Sequence, residues 1–157
     1  MTDVTTVREI ERKLSVDAAF KMPDLMLSGA PVVTEQPTVV LNAAYYDTDD
    51  LRLARFGVTL RRRTGGSDAG WHLKLPESSD RRMEVRVPLG TCDEEAPPEL
   101  LDRVRAFIRD RAVEPVMSLG TRRLVHRLLD ADGAILAELC DDHVTAKSRV
   151  QRRPKFI

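Results

Sequence analysis

The sequence predicts an α+β fold in which an antiparallel β-barrel with a charged interior makes up most of the domain and helices pack outside it. Three observations carry that expectation. Short segments alternating apolar and charged residues recur from Val58 onward, each with one charged side. Turn signals, Thr64-Gly65-Gly66-Ser67-Asp68-Ala69-Gly70 and Asp130-Ala131-Asp132-Gly133, separate them as hairpins require. One amphipathic stretch, opened by Pro97-Pro98, sets Leu100, Leu101, Val104, Phe107 and Ile108 on a single helical face.

In chain order, Val7 to Leu14 alternates and predicts a first strand, and Asp17 to Phe20 predicts a short helix that Pro23 closes. Gly29 to Pro37 reads as a loop. Thr38 to Asp47 is rich in β-branched and aromatic residues and predicts a second strand, with a helical turn at Leu51 to Phe56 behind it. A meander follows: VTLRRR from Val58, WHLKLP from Trp71 and MEVRVPL from Met83. After the helix opened by Pro97-Pro98 come two more strands, Thr121 to Leu129 and Ala134 to Asp142. At 157 residues this is one domain, spanning 1–157, large enough to bury a core without disulfides.

Composition narrows the function classes. Basic and acidic residues number 25 each, so no net field attracts a nucleic acid or a membrane surface, and any anion site must be local. Cys92 and Cys140 have no metal-site spacing, and no apolar run reaches membrane length, so the expected compartment is the cytoplasm.

Sorting by strand parity shows what the charges are for. Glu9, Glu11 and Lys13 share one face of the first strand; Arg61 and Arg63, His72 and Lys74, and Glu84 and Arg86 each stand opposite apolar neighbours. A wet sheet face alone would explain any single strand. Like charges two apart, Glu9 with Glu11 and Arg61 with Arg63, repel unless an opposite charge lies between them. Carboxylate oxygens suit a hard cation such as Mg²⁺ or Mn²⁺, and arginine forks suit phosphate oxygens. Arg62, of the other parity, reads as a solvated charge; His72, on the inward face, reads as a packing or hydrogen-bonding residue rather than a ligand; the Trp71 and Tyr45-Tyr46 aromatics read as packing residues; the run Arg149 to Lys155 reads as a solvated tail.

The segment Glu9-Ile10-Glu11-Arg12-Lys13 resembles the ExExK signature of the CYTH family, the triphosphate tunnel metalloenzymes. The resemblance continues through YYDT at Tyr45–Thr48, LRRR at Leu60–Arg63, Leu73-Lys74, RMEVRVPL at Arg82–Leu89, TRR at Thr121–Arg123 and the acidic strand Glu138–Asp142. It implies a triphosphate tunnel. Glu9 and Glu11, with Glu84 and with Glu138 or Asp142, would bind Mg²⁺ or Mn²⁺. Lys13, Arg61, Arg63, Lys74, Arg86 and Arg123 would hold a triphosphate or polyphosphate, and Lys13, Glu9 and Glu11 would be catalytic. The implied activity is metal-dependent triphosphate hydrolysis; adenylate cyclisation at the same site and noncatalytic polyphosphate binding are the alternatives.

Family domains end in a further strand with an acidic pair, whereas no acidic residue follows Asp142 here. The expectation is a C-terminally incomplete domain lacking that last strand, either a fragment, a truncated product of a longer parent or a natural variant; in CHAD-linked relatives a helical CHAD domain would follow. An unpaired sheet edge would then favour a homodimer.

Overall fold

The computed structural model describes residues 4–29, 32–78, 81–90 and 94–148, apart from the side chains of Glu9, Leu27 and Ser28. The run Arg149–Lys155 and Cys92 lie outside the described residues. The strands are β1 (Thr5–Ile10), β2 (Val32–Glu35), β3 (Val39–Asp47), β4 (Thr59–Thr64), β5 (Gly70–Pro76), β6 (Arg81–Val87), β7 (Glu114–Leu129) and β8 (Ile135–Ser148); the helices are α1 (Arg52–Arg55) and α2 (Pro98–Ile108). All strand pairs are antiparallel. The sheet runs β1-β6-β5-β4-β3-β7, with β2 continuing the β3 side of β7 and β8 pairing along its other side.

The fold is the expected α+β one, mainly antiparallel sheet with a charged interior and helices outside. The sheet is not closed by hydrogen bonds: among the described residues no ladder joins β1 to β8. It is nevertheless curled, because Glu11 and Lys13, just past β1, and Asp142 and Val144, on β8, line the same cleft.

Several boundaries differ from the sequence expectation, each for a reason outside the segment concerned. β1 stops at Ile10 rather than Leu14: Ile10 pairs with Arg81, the first residue of β6, and among the described residues the ladder has no further partner. The helix expected at Asp17–Phe20 is only a turn: Asp17 accepts the Ala19 N–H at 2.7 Å on its side chain and the Phe20 N–H at 3.0 Å on its carbonyl. Pro23 leaves no room to propagate it. A 3-10 turn at Leu25–Ser28 follows, its first turn capped by Asp24. The expected loop holds β2, ordered by β7 across from it. β7 begins at Glu114 rather than Thr121 because β3 pairs with it from Glu114 to Arg123, and β8 follows β7 out to Ser148.

The apolar faces of β4, β5 and β6 meet α1 and α2 in one core of Leu60, Trp71, Leu73, Val85, Val87, Leu53, Leu100, Val104 and Ile108. Trp71 packs on Tyr46 with ring centroids 4.8 Å apart. The YYDT segment builds the corner beneath it. Buried Asp47 accepts the N–H groups of Thr48, Leu53 and Ala54 at 2.7–3.0 Å, the last two being donors that a four-residue helix leaves open. The β4–β5 hairpin needs Gly65: its φ is 81°, and a Cβ there would stand 2.3 Å from the Val40 carbonyl oxygen. Arg62 is half-buried rather than solvated, its Nε shut from solvent on the convex face.

Candidate functional site

Directly paired residues in an antiparallel ladder share a face. One face therefore carries, from β6 across to β8, Glu84 and Arg86 on β6, His72 and Lys74 on β5, Arg61 and Arg63 on β4, Ala43 and Tyr45 on β3, Leu119, Thr121 and Arg123 on β7, and Asp142 on β8. Sheet curl turns this face inward as a cleft of about 280 Å³. Its cationic lining is Lys13, Arg61, Arg63, Lys74 and Arg123, and its acidic lining is Glu11 and Asp142. Tyr45 lines it too, rather than packing in the core as expected; a bulge in the β3–β7 ladder between Tyr45 and Tyr46 separates the two rings' surroundings.

Behind the cleft lies a buried hub. Glu84 is 1% exposed; one oxygen faces His72 Nδ1 at 2.9 Å, and the other accepts from Arg86 Nε at 2.8 Å and also from Nη2. Lys74 Nζ and Arg61 Nη2 each stand 3.9 Å away. Burial alone would raise the Glu84 pKa; the hydrogen bonds from His72 and Arg86 and the charges of Lys74 and Arg86 reverse this and hold it at about 2. His72 in turn reaches the Asp68 carbonyl oxygen at 2.8 Å, and the Asp68 carboxylate takes Arg63. The turn between β4 and β5 thus orients cleft residues.

Arg63 has its pKa lowered, first by burial and then by neighbouring Arg61. Arg61 Nε and Arg63 Nε are buried without a hydrogen-bond partner among the described residues. Glu11 has its pKa lowered: burial pushes it up, and Lys74 and Lys13 outweigh that. Arg123 is raised, first by its hydrogen bonds to Asp142.

Of the expected site residues, Lys13, Glu11, Arg61, Arg63, Lys74, Arg123 and Asp142 come together at the cleft. Glu84 and Arg86 sit beside it, bonded to each other. Glu138 is on the same face but beyond the cleft lining, 2.8 Å from Arg127 Nε. Glu9 pairs with Arg82 in the ladder, and its side chain lies outside the described residues. His72, which parity placed on the charged face as a packing or hydrogen-bonding residue, and Asp68, which parity and motif reading passed over, are positioning groups. Among the described residues no three of His, Cys, Asp and Glu converge as a metal-holding group. Glu11 and Asp142, two carboxylates in one cleft with cations for the anion, still fit the needs of Mg²⁺ or Mn²⁺, which take one or two carboxylates and complete their shell from phosphate and water.

A family model described as CYTH domain matches residues 7–147. Two relatives from Mycobacterium tuberculosis, the uncharacterized proteins MT2285 (strain CDC 1551 / Oshkosh) and Rv2226 (strain ATCC 25618 / H37Rv), are each 49% identical to this chain over 141 residues. The match covers 89% of this chain but only 28% of each relative's length.

Proposed function

The chain belongs to the CYTH domain family, whose members bind triphosphates, and from that premise we propose that it holds inorganic triphosphate or a similarly small triphosphate in the concave cleft and hydrolyses it with Mg²⁺ or Mn²⁺. One observation carries this: among the described residues, five cationic side chains line one cleft with two carboxylates among them. Guanidinium forks take phosphate oxygens two at a time, and lysines add point charge, so such a lining suits a chain of phosphates. At about 280 Å³ the cleft matches only the small end of ligand sites, roughly 300 Å³ upward, which favours a bare phosphate chain over a nucleotide.

Glu11 and Asp142, with Glu9 of the ExExK segment, would hold the divalent ion, which supplies Lewis-acid polarisation of the phosphoryl oxygens. Arg61, Arg63 and Lys74, fixed against the Glu84 hub and Asp68, neutralise charge as the phosphoryl group transfers. Rigid placement matters because phosphoryl transfer is catalysed mainly by positioning and charge. A noncatalytic holder of polyphosphate is the second reading, favoured by Glu84 having both oxygens taken by protein donors.

The test is phosphate release from inorganic triphosphate with Mg²⁺ or Mn²⁺, beside calorimetric binding, for the native chain and Glu11→Gln. Metal-dependent release that falls by ~10²-fold or more in Glu11→Gln supports hydrolysis, on the scale of losing one transition-state electrostatic partner. Binding without release selects the holder. The absence of both binding and release would overturn the cleft assignment.

A further inference from the structure

Among the described residues, both carboxylates that line the cleft are already joined to cations that line it. Asp142 and Arg123 face each other directly across the β7–β8 ladder in a two-pronged pair, Nε to Oδ1 and Nη2 to Oδ2, both at 2.7 Å. Glu11 stands 3.3 Å from Lys13 Nζ. Arg123 and Asp142 keep 29% and 30% of their side-chain surface exposed, so a ligand can reach both. The charges that line the cleft are therefore partly matched to one another.

A guanidinium uses the same fork for a carboxylate as for a phosphate. A carboxylate likewise offers a hard cation the oxygens it offers an arginine. While joined, Arg123 cannot turn that fork on a phosphate, and Asp142 cannot give both oxygens to a cation. We propose that the Arg123–Asp142 pair is an exchange gate through which divalent cation and triphosphate enter as a unit, each taking one member of the pair.

The physical reason is charge matching. An anion alone that captures Arg123 leaves the Asp142 carboxylate beside new negative charge; a cation alone that captures Asp142 leaves Arg123 beside new positive charge. Arriving together, they exchange one matched pair for two. Such coupling is reciprocal: each ligand tightens the other by the same factor. The Glu84–Arg86 pair cannot serve this way, because Glu84 is buried and His72 holds its other oxygen. The Glu11–Lys13 pair, a single contact on an exposed lysine, is a weaker version of the same device.

This inference rests on the reading of the cleft as a triphosphate site, and calorimetry on two variants separates the two. The probes are inorganic tripolyphosphate in chelator-treated buffer, Mn²⁺ alone, and both together. Asp142→Asn is expected to tighten metal-free tripolyphosphate ~10-fold and to lose most of the further gain that Mn²⁺ gives the native chain, within the range of ordinary coupling factors. Arg123→Gln is expected to do the reverse, tightening Mn²⁺ alone while weakening tripolyphosphate. Misfolding weakens every interaction, whereas the exchange demands one gain in each variant. If the native chain binds tripolyphosphate with Mn²⁺ but neither variant shows its gain, the exchange is wrong and the cleft assignment stands. A native chain that binds no tripolyphosphate in either buffer overturns both.

Discussion

The β4–β5–β6 part of the sheet and the β7–β8 part share one ladder pattern and differ in nearly everything else. Along β5, Trp71, His72, Leu73 and Lys74 are all buried, although two of them are polar. Along β8 no described residue is buried, and Ile135, Leu136 and Val144 are exposed. Backbone pairing is extensive in both, with one register shift at Leu128/Leu129 in the β7–β8 ladder. What separates them is cover: α1 and α2 seal the convex face of the first part, while the Glu84 hub fills its concave face with mutually bonded charges. Hydrogen-bond ladders orient strands, but apolar burial supplies the stability. The cleft lies on the seam, with Arg61, Arg63 and Lys74 on the sealed side and Arg123 and Asp142 on the open one.

The contrast predicts a steep fall in mutational cost across the sheet. Trp71→Ala should cost about 3–5 kcal/mol in urea unfolding, as large-to-small changes in packed cores do, while Leu136→Ala on β8 should stay within about 0.5 kcal/mol. Comparable losses at both positions would mean that β8 is covered in solution.

Next in size is the hub. Glu84→Gln leaves Arg86, His72, Lys74 and Arg61 without their shared anion, and should cost about 3 kcal/mol at pH 7. The sign with pH follows from a folded pKa of about 2 against an ordinary 4.5. A depressed carboxylate stabilises fully above its unfolded value and loses that contribution as pH falls towards its folded one. The gap between native chain and variant should therefore narrow between pH 4.5 and 2; a gap constant over that window would refute the hub.

Arg61→Ala probes the seam itself. Loss of one charge-assisted partner should weaken tripolyphosphate binding by about 1.5–3 kcal/mol by calorimetry. Unchanged affinity would place the anion elsewhere. The smallest effect belongs to the open side: Glu138→Gln breaks an exposed pair with Arg127 and should alter stability by about 0.2–1 kcal/mol, as surface ion pairs do.

Much of the site is legible in the sequence. Arg61, Arg63 and Lys74 share parity within their strands, and a strand's period of two sends each set to one face whatever the strand pairs with. Arg123 and Asp142 are recognisable by motif, yet nothing in their spacing shows that they bond to each other. That depends on β7–β8 register, which sets Arg123 opposite Asp142. Tyr45 and Tyr46 look equivalent in sequence; the strand's alternation and the bulge between them send one to the cleft and the other to Trp71. Asp47 and Thr48 match a family motif without revealing that they cap α1.

By itself the sequence determined the family, the alternation that separates a charged face from an apolar one, the amphipathic α2 and the turns between β4 and β5 and between β7 and β8. Those are local properties: side-chain period, turn chemistry and residue type act within a few residues. Only the tertiary structure decided where β1 ends, that β2 is a strand, how far β7 and β8 run, and which carboxylate meets which cation. Each of these is a pairing between segments distant in the chain, fixed by which neighbour supplies hydrogen bonds and opposite charge.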